Sequence, residues 1–218
     1  MPSYSRRSRA SLLAVSPLLI EQARRQLPEA DVIAAADAAE AARQALALAV
    51  DGRVDAGDDR SGASGRVVAQ ERGLDRRVAG LREGLRGLGA AGLADADALG
   101  DALFPQGTAG LTRPMGRLQV PAYESLTRRL RAAAAEPSGA WLAPTLHALA
   151  DDLELWCGEV MVRAEAEAEL GAAARSAEAH REALVAAMSR LDLEVERATG
   201  GPRSAGYLAW ADAARGVG

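Results

Sequence analysis

From Ser138 to about Arg197 the chain runs through some sixty residues with no proline beyond Pro144 and no cluster of turn-forming residues. Within it Leu142, Leu149, Trp156, Arg163, Leu170, Ala177, Leu184 and Leu191 recur every seventh position. A second register, Leu146, Leu153, Val160, Glu167, Ala174, Arg181, Met188 and Val195, keeps step four residues behind. Alternating steps of four and three place one apolar seam along a helix. At 1.5 Å per residue such a helix reaches roughly 80–90 Å, so it needs other long helices beside it or a bend, for which Gly171 is the available position. The expected fold is therefore all-α: an elongated, antiparallel, coiled-coil-like helical bundle organised on one very long helix at about 138–197.

Composition points the same way. Hydrophobic residues make up 49% of the chain but aromatics only 3%, and alanine supplies much of the difference. Closely approaching helices suit such a core better than sheets do. Lysine and asparagine are both absent, so arginine carries all of the basic charge and the Ala/Arg-rich bias partly reflects base composition. The net charge of −4 argues against a broad basic face for nucleic acid. The single cysteine, Cys157, can form no disulfide within the chain, which is consistent with a cytoplasmic setting. Ser5-Arg6-Arg7-Ser8-Arg9 before Ser11 to Val15 resembles a twin-arginine export signal, but Ser16-Pro17 breaks the apolar run. No stretch is long and apolar enough to span a bilayer.

The 218 residues read as a single helical-bundle domain. Residues 1–15 are expected to form a disordered basic tail, with a first helix opening at Ser16-Pro17 and Pro28 either kinking or restarting it. An alanine-faced helix over 28–50 carries Val32, Ile33, Leu46, Leu48 and Val50. The Asp, Gly and Ser residues between Asp51 and Gly65 predict a loop. A second long helix, 66–88, shows a seam of Val67, Glu71, Leu74, Val78, Leu81, Leu85 and Leu88. Beside that seam lie Gly73, Gly80 and Gly87, each costing about 1 kcal/mol of helix propensity. Close approach to the alanine face of 28–50 would compensate, so the two helices are expected to pack antiparallel across the 51–65 loop. The long helix would then lie in their groove, with Leu142, Leu146, Leu149, Leu153, Trp156 and Val160 buried. A long loop over 104–121 and a short C-terminal helix over 203–216 complete the reading.

Candidate sites are sparse. His147, Asp151 and Glu154 stand at i, i+4 and i+7 and can share a helix face, an arrangement able to offer a metal one imidazole and two carboxylates. Asp37 or Glu40 would complete such a site in a metal protein or enzyme. The Glu-x-x-His spacing of di-iron bundles is missing at His147 and at His180, the other histidine. Glu71, Glu167 and Arg181 fall on seam positions, where a charge needs solvent or a partner. Arginines cluster at 6–9, 24–25, 76–77 and 128–131, which would serve weak nucleic-acid binding. The 104–121 segment brings together Phe104, Arg113, Met115, Arg117 and Tyr123, a set suited to protein contact, although Phe104, Leu111, Met115, Leu118 and Val120 could equally bury as a strap. Phosphate-loop and nucleophile-elbow patterns are absent, and no cofactor is called for. The leading expectation is a non-enzymatic structural or protein-interaction module with a protein partner or self-association. A metal-binding bundle and an arginine-based nucleic-acid binder are the alternatives.

Overall fold

A computed structural model describes residues 4–113 and 115–216, with the side chains of 211 and 213–216 outside that description. Every regular element among the described residues is helical: α1 (Arg9–Gln26), α2 (Ala30–Ala90), α3 (Ala94–Leu103), α4 (Ala109–Thr112), α5 (Val120–Ala135), α6 (Ala143–Ala198) and α7 (Ala205–Gly216). Single 3-10 turns sit at Tyr4–Arg6, Gly116–Leu118 and Ala140–Leu142. The long helix foreseen at 138–197 is α6, 56 residues without a break at Gly171. It is matched by a second, α2, of 61 residues.

That second length corrects the expected loop at 51–65, which is helical throughout. Local propensity favoured a turn there, but heptad phase does not change across the segment. Val32, Ala39 and Leu46 lie on the same register as Val67, Leu74 and Leu81, three whole heptads separating Leu46 from Val67. With no proline between Pro28 and Pro105, nothing forces an end, and packing of the seam outweighs the glycine cost. It follows that 28–50 and 66–88 are one helix and cannot pack against each other. The glycine account fails with it. A Cβ added at Gly73, Gly80 or Gly87 would meet nothing within 4 Å. Gly80→Ala is therefore expected to raise stability by about 0.5–1 kcal/mol, through helix propensity alone. A lower urea midpoint for that variant would show a contact at this face.

The chain divides into two compact units, residues 58–168 forming one and residues 1–57 with 169–218 the other. In the 58–168 unit, α2 contributes Val67, Leu74, Val78 and Leu85 to a core shared with Leu99 and Leu103 of α3, Tyr123, Leu126 and Leu130 of α5, and Leu146, Leu149, Leu153, Trp156 and Val160 of α6. The inward stripe of α6 is the one expected, with Leu142 only half-buried. Its neighbours, however, are α2, α3 and α5 and not two halves of a hairpin. Arg60 pairs with Glu167 (3.8 Å), Arg66 with Glu159 (2.9 Å), and Arg77 with Asp152. Rising numbers on α2 meet falling numbers on α6, so the two run antiparallel here.

In the other unit, α1, the first part of α2, the last part of α6 and α7 enclose Leu12, Val15, Leu19, Ile20, Val32, Ala36, Ala39, Leu46, Leu184, Met188, Leu191, Val195, Tyr207 and Trp210. The expected disordered tail is corrected over its described part, residues 4–15; residues 1–3 lie outside the described residues. Tyr4 is buried in this core, and α1 starts at Arg9, where the Ser8 hydroxyl accepts from the Ser11 amide at 3.2 Å. Pro17 consequently lies inside α1 and not at its start. Arg181 supplies the physical reason. Its guanidinium donates to the carbonyls of Ser5 and Arg7, and the neighbouring Glu178 takes Arg9 at 2.7 Å. A seam charge that sequence alone leaves without a partner is thus the group that holds the N-terminal segment.

Candidate interaction site

The described part of the connection from α3 to α5 lies against α2 as a strap. Phe104 and Leu111 are buried beneath it and Val120 at its end, while Gly107 (φ 75°) and Gly116 (φ 57°) make turns in the left-handed region that other residues rarely adopt. Its anchor is polar. Gln119, fully buried, donates through Nε2 to the Leu111 carbonyl (2.6 Å) and to Asp75 of α2 (3.1 Å). The Tyr123 hydroxyl donates to the same Asp75 oxygen, and the Gly116 amide reaches Glu71 at 3.4 Å. Glu71, the seam charge of α2, is thereby tied to the strap. Burial, then the hydrogen bond to Asp75, pushes the Tyr123 phenol well above its ordinary range, so it stays a donor. Its ring meets Trp156 edge-on, with centroids 5.1 Å apart.

Held in this way, the strap turns a short tip outward. Met115 is 75% and Leu118 81% exposed, the highest values among the described large apolar side chains, and Arg113 and Arg117 beside them are also exposed. The five residues singled out for interaction therefore separate into two roles. Phe104 and Tyr123 are core residues that position the segment, whereas Arg113, Met115 and Arg117 are on its surface. Leu118, assigned in the sequence to the buried side of a strap, belongs with the surface group. Gln119 next to it is buried instead, its amide nitrogen bonded to the Leu111 carbonyl and to Asp75.

The structure does not bring the other candidate residues together. His147 is exposed, and Arg131 donates to both Asp151 (3.3 Å) and Glu154 (2.6 Å), placing a guanidinium where a metal would have to sit. Among the described residues no group of three His, Cys, Asp or Glu side chains is arranged to hold a metal ion. Asp37 is taken by Arg24 (2.6 Å), and Glu40 by Arg43 (2.6 Å), whose hydrogen bond lowers the Glu40 carboxyl to about 2. Arginines of the expected clusters likewise meet acids: Arg25 pairs with Glu21, Arg77 with Asp152, and Arg131 with Asp151 and Glu154. Burial, followed by the nearby Glu124 and Glu154, pushes the Cys157 thiol up to about 11, which disfavours the reactive thiolate. Among the described residues no helix is long and apolar enough to cross a membrane.

Fold and site together define an all-α protein in which two long helices carry a polar-anchored surface tip. No family model, curated protein or solved structure matches this chain.

Proposed function

We propose that this chain is a non-enzymatic protein-interaction module whose contact point is the tip formed by Arg113, Met115, Arg117 and Leu118. The observation that carries this reading is the pairing of two large, highly exposed apolar side chains with a buried polar anchor directly beneath them. Exposed loop residues have no packing reason to be apolar, and an anchor of buried hydrogen bonds is costly to build unless the segment's position matters. Methionine and leucine supply adaptable apolar area, and the flanking guanidiniums favour a partner surface bearing carboxylates.

A photo-crosslinking residue installed at position 118 in cells tests this directly. A discrete adduct is expected there and at position 115, and none at Leu208, which is 47% exposed and serves as the control. Labelling at position 118 no stronger or more discrete than at position 208 would sink the proposal.

A further inference from the structure

Two buried polar groups lie where α7 meets α6. Asp192 of α6 is 2% exposed and is held by neutral donors of α7, Trp210 Nε1 at 2.9 Å and the Tyr207 hydroxyl at 3.2 Å. Tyr4, from the turn Tyr4–Arg6, is buried in the same core, and its hydroxyl has no hydrogen-bond partner. Burial first, then the nearby Asp192 and Tyr207, raises the Tyr4 phenol above its ordinary range, so the three groups share one neighbourhood. Buried hydroxyls are nearly always bonded, and one without a partner lowers the stability of any state that keeps it dry. α7 is joined to α6 through residues 199–204, which contain Gly200, Gly201 and Pro202.

We propose that α7 is a lid over Asp192, and that the unpartnered Tyr4 hydroxyl sets how readily it opens. Lifting α7 takes Tyr207 and Trp210 away from the carboxylate and lets water reach both Asp192 and Tyr4. Opening therefore costs the bonds of Tyr207 and Trp210 and the burial of their rings. In return it solvates a buried carboxylate and a hydroxyl that closure leaves unsatisfied. The rings favour the closed state, and the Tyr4 hydroxyl narrows the gap between closed and open, giving α7 the low local stability that a moving element requires. The inference does not rest on the tip, which belongs to the 58–168 unit.

Hydrogen exchange of the full chain at one pH, resolved over 205–216 and over 36–46 of α2, separates opening of the lid from unfolding of the core it closes. Exchange in α7 is expected to be at least about tenfold faster than in 36–46. Tyr4→Phe removes the unsatisfied hydroxyl and keeps the ring, so it is expected to slow exchange in α7 at least about fivefold. Tyr207→Phe removes a bond that the closed state makes, so it is expected to speed exchange in α7 by about twofold to tenfold. The same chemical change at two tyrosines of one core thus acts with opposite signs, which general loss of stability cannot produce. Exchange in α7 no faster than in 36–46 would overturn the lid. Slowing by Tyr4→Phe confined to 36–46 would show that the hydroxyl stays dry when α7 moves, and would overturn its role. Faster exchange in α7 of Tyr4→Phe would overturn it as well, since the hydroxyl would then be holding the closed state.

Discussion

Trp156→Ala is expected to cost the 58–168 unit about 3–5 kcal/mol, the range for removing a large aromatic side chain from a packed core. Trp156 is fully buried on the seam of α6, meets Tyr123 edge-on, and lies in the core to which α2, α3 and α5 all contribute. Collapse around the cavity would have to move Tyr123, which is fixed through Asp75 to α2. The indole Nε1 has no hydrogen-bond partner. Trp156→Phe therefore loses volume but no satisfied polar group, and its cost is expected to be much smaller, about 1–2 kcal/mol. Urea midpoints for the two variants, with m-values to check that unfolding stays cooperative, decide the matter. Equal losses for Ala and Phe would show that ring volume is not what this level of the core depends on.

The second large effect belongs to Asp192. It is 2% exposed, accepts from Trp210 Nε1 (2.9 Å) and from the Tyr207 hydroxyl (3.2 Å), and is the polar attachment of α7 to α6. Asp192→Ala leaves both donors buried without an acceptor, an expected loss of about 2–4 kcal/mol, with α7 released first. Limited proteolysis within 199–210 and a red shift of the Trp210 emission are the readouts. Unchanged resistance to protease would show that apolar contact alone holds α7. A pH dependence accompanies this site. Burial holds the Asp192 carboxyl above its ordinary range, the bonds from Trp210 and Tyr207 acting in the opposite direction. The folded state then binds that proton more tightly than the unfolded state, so this group's contribution to stability is greatest below the unfolded carboxyl value of about 3.9 and falls as pH rises through the higher folded one. The difference in stability between wild type and Asp192→Asn should follow that slope, with the wild type losing ground as pH increases. A pH-independent difference would contradict it.

How much of this was legible depends on the range of the interaction involved. The α6 seam could be read because heptad repetition is a property of adjacent residues, whereas Pro28 left open either a kink or a restart of the helix. The same phase information was present across 51–65, but glycine and aspartate propensities, worth under about 1 kcal/mol each, hid it. At the candidate site, the arginines and Met115 were legible as unusual loop residues. The burial of Gln119 was not, because its bonds run to Leu111 and to Asp75, forty-four positions away in the chain.

By itself, then, the spacing of apolar residues determined that the chain is helical, where α6 lies, and that Leu146, Leu149, Leu153, Trp156 and Val160 face inward, since a 3.6-residue period puts them on one stripe. Only the tertiary structure decided that α2 runs unbroken for 61 residues, that Arg181 holds the N-terminal segment, that Asp151 and Glu154 belong to Arg131, and that Met115 and Leu118 face outward. Each of these turns on a partner remote in sequence, and the free energy of a buried seam or a charged hydrogen bond exceeds the local preferences from which a single segment can be read.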